Sequence, residues 1–285
     1  MCSQKGSAAC APTAGFPQRQ SGAAAASAGG STPAAEPGRG IAIGGGSISG
    51  AGTLGHEAQT GSASAVAIGN DAKATSDNST SLGDTASASA IQTTAIGSHA
   101  SASVSSSVAV GYSAAAKGDG STATGAFASA LANESTAIGE ASNAAGITST
   151  ALGSHSSATG PNSVAIGYGA TAGGNDSMAM GNGSLATGNN SVAIGNGSTA
   201  SASNSVAIGD GSVADADNTV SVGNSTTQRR ITNLAAGTNT TDAVNVGQLQ
   251  AVAAAGAASS SSRAACRPTR STAARTSRSR TPPPT

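Results

Sequence analysis

The 285-residue chain has no tryptophan, two tyrosines (Tyr112 and Tyr168) and two phenylalanines (Phe16 and Phe127). Charged residues make up 9% of it, against about 25% in an ordinary globular domain. A compact globule of this length is built around large aromatic and leucine-rich clusters, and their absence excludes one. Two classes remain: a low-complexity disordered chain, or a repeat fold cored by small residues. Cysteine is scarce, and Cys2, Cys10 and Cys266 all lie in the irregular ends, so no disulfide framework or metal spacing is visible. No stretch approaches the ~18 apolar residues of a membrane-spanning helix. No apolar run follows Lys5 to make a secretion signal, and "SAAC" at 7–10 lacks the apolar segment of a lipoprotein signal.

The formal net charge is zero, but its two signs are segregated. Residues 41–223 carry two lysines, Lys73 and Lys117, against eleven acids from Glu57 to Asp217. After Gln250 come six arginines (263, 267, 270, 275, 278 and 280) and no acid. An acidic body repels phosphate, which argues against a nucleic-acid partner. Arginine mixed with Ser, Thr, Ala and Pro predicts a disordered tail.

What is abundant is glycine, 40 residues of it. Thirteen glycines fall at 55, 69, 83, 97, 111, 125, 139, 153, 167, 181, 195, 209 and 223, a constant step of fourteen. The preceding residue is Leu, Ile, Val or Met in twelve cases, with Thr124 the exception. Three residues after each of the first twelve stands Ala or Ser, and five after stands Ala, except at Thr60. Disorder keeps no such register. Fourteen residues are too few for helical-hairpin or leucine-rich repeats, but they suit one coil of a flat β-solenoid, two short strands and two tight turns. "SVAI" at 191–194 alternates as a strand does, and Gly195 permits the positive φ of a turn. Twelve coils at ~4.8 Å would make a rod of roughly 58 Å.

Alternation also divides the side chains. Val192 and Ile194 share one side of their strand, Ser191 and Ala193 the other. So narrow a coil predicts Ala and Ser inside. The aliphatic pairs then lie outside, from Val66/Ile68 through Val108/Val110, Val164/Ile166 and Val206/Ile208 to Val220/Val222. A stripe of that size marks an interface, which predicts an obligate oligomer. The alternative facing puts Val and Ile inside.

The phrase Ser-Val-Ala-Ile-Gly-x-x-Ser-x-Ala resembles the head repeat of trimeric autotransporter adhesins, the YadA-like surface proteins of Gram-negative bacteria. A second signature, "RRITNLAAGTNTTDAVNVGQLQ" at 229–250, resembles the neck of the same family. The resemblance implies an all-β fold, a left-handed parallel β-roll (β-solenoid) of 14-residue repeats. It implies three chains about one axis, a cell-surface or outer-membrane location, and attachment to host matrix, collagen included, or to host cells. In the neck, Arg229, Arg230, Asp242 and Asn245 become candidates for interchain pairing, with Ile231, Leu234, Val244, Val246 and Leu249 as core; the alternative for the arginine pair is plain solvation. The expected division is a low-complexity segment 1–40, the head 41–223, the neck 224–250 and a disordered Arg/Ser/Pro-rich tail 251–285. The sequence after Gln250 shows no heptads and no anchor strands, which suggests a truncated or frameshifted product carrying a real head and neck.

No cofactor, metal or catalytic site is expected. "GNGSLATG" at 181–188 lacks the GK[ST] ending of a phosphate loop, and it recurs as part of the fourteen-residue period. "GGND" at 173–176 superficially suggests calcium-binding β-rolls, whose step is nine. His99 and His155 sit two residues after their glycines, four coils apart, and His56 one position earlier in its own coil. That separation, about 19 Å, is too great for shared metal ligation. Nothing suggests a nucleophile triad, so the chain is read as no enzyme. Tyr112 and Tyr168, each directly after a repeat glycine, are candidate contact points or plain surface tyrosines. Repetition favours a repetitive ligand such as a collagen-like fibre, because weak contacts multiply through avidity. The competing function is a structural spacer or self-association module, as in biofilm, without a host ligand.

Overall fold

A computed structural model describes residues 41–43, 58–60 and 64–265. The chain divides into two units, one ending at Arg229 and one beginning at Arg230. The first is a parallel β-solenoid. Each coil contributes a three-residue strand to one sheet and a two-residue strand to another. Among the described residues the first sheet holds 13 strands, from Ile41–Ile43 to Val220–Ser221, and the second holds 12, from Gln59–Thr60 to Val213–Ala214. All pairing is parallel and, after the first strand, steps by one repeat: Val192, Ala193 and Ile194 lie beside Val206, Ala207 and Ile208, and Thr199 and Ala200 beside Val213 and Ala214.

The step breaks once, at the start. Ile41 pairs with Val66 and Ile43 with Ile68, so the first strand passes over the position one repeat upstream of Val66. Gly55 and His56, at the beginning of the glycine series, lie outside the described residues, as do all three cysteines and residues 1–40 and 266–285.

The interior is the one the alternation predicts. Ala193, Ala200 and Ala207 are fully buried, as are the equivalent alanines of nearly every coil. Serines such as Ser191 and Ser205 fill the corner before the first strand. Val192 is half-buried and Ile194 exposed on the outer face; the alternative facing is excluded. Side chains larger than threonine have no room within the coil.

The turns explain the glycines. Gly195 has φ 132°, and a β-carbon on it would lie 2.5 Å from the carbonyl carbon of Gly209 in the next coil. The backbones touch there, and any side chain would push the coils apart. Further on in the same turn the chain enters the left-handed region again, at Gly197 (φ 60°), and it does so in the second turn at Asn204 (φ 53°). Asparagine tolerates that conformation better than most residues. Its amide also links coils: Asn204 Nδ2 donates to Asn218 Oδ1 at 3.2 Å, and Asn162 Nδ2 to Asp176 Oδ1 at 3.0 Å.

Residues 224–229, which the sequence places in the neck, fold back onto the last coil. Val213 N donates to Gly223 O at 2.8 Å and Asn224 N to Thr227 O at 2.9 Å. The second unit carries a helix, α1, spanning Val246–Ala265. It runs through position 250 and, over residues 251–265, replaces the disorder expected of the tail 251–285 with a helix; the remainder of that tail lies outside the described residues. Absence of heptads removed the signal for a coiled coil but not for a helix. Residues 251–258 are alanine except Val252 and Gly256, and alanine is the best helix former.

Candidate binding surface

Three surfaces of the solenoid are open. The first is the outer face of the three-residue strands, where aliphatic side chains recur in register. Leu82, Ile138, Leu152, Met180, Ile194 and Ile208 are 37–44% exposed, each aligned along the rod in one column. Beside them runs the column Val164, Met178, Val192 and Val206, all half-buried. The second surface is the outer face of the two-residue strands, which presents Ser87, Ser101, Ser129, Ser157, Thr171 and Thr199. It is small, hydroxylated and almost uncharged.

The third is the ridge of turns that begin at the repeat glycines. Tyr112 and Tyr168 are there, exposed as expected, but they are not solitary. Tyr112 meets His99 from the coil before, with ring centroids 5.8 Å apart, and Phe127 from the coil after at 5.2 Å and 82°. Tyr168 meets His155 at 5.6 Å. Phe127 was not singled out by sequence, because 13 and 15 residues separate these rings rather than 14. The signal was available in the positions relative to the glycine: two after for His99, one after for Tyr112, two after for Phe127.

Among the described residues no three His, Cys, Asp or Glu side chains gather to hold an ion. His99 and His155 each turn Nδ1 to the preceding serine, Ser98 and Ser154, at 2.7 Å. Among the same residues no helix is long and apolar enough to cross a membrane.

The repeat units match, coil after coil, the family model described as the YadA head domain repeat, in overlapping pairs from 61–86 to 200–226. Residues 230–265 match the coiled stalk of trimeric autotransporter adhesins. The chain belongs to the YadA-like trimeric autotransporter adhesins. It is the head of such an adhesin, and the family is one of cell-surface proteins, not of enzymes. The stalk match reaches past Gln250, where the sequence shows no heptads, and it covers the same stretch as α1. Among solved structures the crystal structure of the collagen-binding domain of the Yersinia adhesin YadA is similar, at 30% identity over 75% of this chain and 97% of that one, with a TM-score of 0.37. No curated protein sequence matches significantly.

Three of the pairing candidates in the neck of this adhesin, Arg229, Asp242 and Asn245, find partners within the chain. Arg229 caps the solenoid: Nη1 donates to Val222 O at 2.9 Å and to Ser212 Oγ at 3.0 Å, and Nη2 donates to Asp210 O at 2.5 Å. In the second unit Asp242 Oδ2 accepts from the amides of Thr238 and Asn239, both at 2.9 Å. Those backbone donors lower the Asp242 pKa from its ordinary 3.8. Asn245 is the N-cap of α1, accepting from Gln248 N at 3.1 Å while Gln248 Oε1 accepts from Asn245 N at 3.3 Å. That reciprocal pair is a capping box. Gln248 also brackets Gly237 through both its N–H and its carbonyl. Within one chain, Arg229, Asp242 and Asn245 each satisfy backbone groups beside them. Ile231, Leu234, Val244, Val246 and Leu249, expected as core, are 40–69% exposed within this unit.

Proposed function

We propose that three copies of this chain assemble through the aliphatic face of the three-residue strands, and that the resulting head attaches its bearer to host extracellular matrix. The register of exposed Leu82, Ile138, Leu152, Ile194 and Ile208 along one face carries the proposal. An interior of alanine and serine gains little from burial, whereas buried isoleucine or leucine gains about 1.5–3 kcal/mol per side chain. Covering the stripe with sister chains supplies what the coil lacks. The exposed apolar residues of the second unit, with Val252, continue the need for partners into the stalk segment.

A long surface that repeats every coil supports matrix attachment. Many weak contacts along such a surface multiply by avidity on a ligand that itself repeats, such as collagen. Light scattering on the full chain checks assembly: three chains per particle are expected, and Ile166→Asp with Ile194→Asp should leave monomers. A well-folded wild-type monomer would overturn it. Solid-phase binding to collagens, fibronectin and laminin checks attachment. Failure on every one, with clustering of the protein on itself, would instead make the rod a spacer or self-association module.

A further inference from the structure

Every described phenylalanine and tyrosine lies on the ridge of glycine turns, in company with His99 and His155. His99, Phe127 and His155 hold one turn position, two residues after the repeat glycine, at intervals of 28 residues, which is every second coil. Their φ angles are 59°, 58° and 57°. Tyr112 and Tyr168 stand one residue after their glycines, each packed against its neighbour in the row. Six coils are spanned, with one gap, where Glu140 and Ala141 occupy the two turn positions. The tyrosines and Phe127 are 51–60% exposed, and both histidines and Glu140 are exposed as well.

Chance placement of aromatic turn residues meets two objections. The left-handed region disfavours a bulky residue such as Phe127, and the later coils put Gly169, Gly183, Gly197 and Gly211 at this position. At Phe127 that strained choice leaves a ring more than half in solvent, which points to contact with something outside the chain. The second objection is the period. Coils stacked at ~4.8 Å bring rings at every second coil about 9.6 Å apart. A polyproline II helix makes a turn in three residues at ~3.1 Å each, about 9.3 Å. Residues i, i+3 and i+6 of such a chain, laid along the ridge, come opposite His99, Phe127 and His155 in succession.

We propose that the ridge from His99 to Tyr168 is a docking track for a single proline-rich chain in the polyproline II conformation. Every third residue is a proline seated against one of the three ring positions, and Tyr112 and Tyr168 flank it. Aromatic surfaces take such chains because the ligand is already extended and loses little entropy on binding. Glu140, in the gap, favours a ligand with an arginine or lysine between its prolines. A single chain is the occupant because it presents an unbroken line of residues, one per turn. In a collagen helix the three strands wind about each other and carry any such line off the ridge.

The proposal deepens the attachment reading and rests on it. Fluorescence anisotropy on the full chain tests it, with a labelled peptide of about twelve residues, four polyproline II turns, bearing proline at every third position and one arginine. The wild type should bind it and should ignore the same peptide with glycine for proline. Phe127→Gly should weaken binding about tenfold, the value of one stacked ring. Its melting temperature should hold or rise, because glycine suits φ 58°, so the loss is not one of folding. No binding by the wild type, equal binding by Phe127→Gly, or preference for a triple-helical peptide or a glycan would each overturn the proposal. Matrix attachment measured in parallel separates the two readings: attachment without peptide binding sinks this one alone.

Discussion

The guanidinium of Arg229 lies over Gly209, its Cζ only 3.1 Å from where a β-carbon on that glycine would stand. The last coil has no following coil to pair with, and Arg229 answers its carbonyls at Asp210 and Val222 instead. Arg229→Ala should lower the stability of the head by about 1 kcal/mol, the net worth of such bonds at an exposed site. Arg229→Lys should recover only part, since an ammonium lacks the planar fork that reaches both carbonyls. Thermal melts of the three proteins check both expectations.

Two glycines of one turn type should respond differently to a methyl group. A β-carbon at Gly183 would meet nothing within 4 Å, and only its φ of 60° opposes alanine, at about 1 kcal/mol. At Gly167 the β-carbon would stand 2.7 Å from Gly181 O. Gly167→Ala should therefore cost about 3 kcal/mol, as overpacking against backbone does. Denaturant midpoints compare the pair; equal losses would mean that coil contact does not govern these positions.

The buried serines fall into two sets. Ser135 Oγ donates to Ala132 O at 2.6 Å, and Ser121 and Ser205 donate likewise. Ser149, Ser163, Ser177 and Ser191 have buried hydroxyls without a partner in four consecutive coils. Ser135→Ala should destabilise by about 1 kcal/mol, while Ser163→Ala and Ser177→Ala should be neutral or stabilising by up to about 1 kcal/mol. Calorimetry on single variants checks the sign.

The Asp242 turn should depend on acid. The folded pKa is lowered below 3.8 by the amides of Asn239 and Thr238. Its contribution is thus complete above that value and lost as pH falls through the lower, folded one. Amide exchange at Thr238 and Asn239 should accelerate across that fall. Asp242→Asn should exchange faster at neutral pH and show little pH dependence beyond the intrinsic rate.

Much of this adhesin head was legible because fourteen residues make one coil and each column holds one job. Ala193 had to be small because the coil is narrow, and Gly195 had to be glycine because backbones meet there. Alternation then sent Val192 and Ile194 outward. The same reasoning failed at 251–258, where the missing heptads hid a helix that alanine supports by itself. The intrachain partners of Arg229, Asp242 and Asn245 were not legible, because charge and amide chemistry suggests partners without saying where in the chain they lie.

Period, facing and the identity of the core thus belong to the sequence alone, since a strand's alternation and a repeat's register are local properties carried by neighbouring residues. The row of His99, Tyr112, Phe127, His155 and Tyr168 belongs to the tertiary structure. The rings that meet lie 13 or 15 positions apart, and only the stacking of coils at a fixed rise turns that separation into contact.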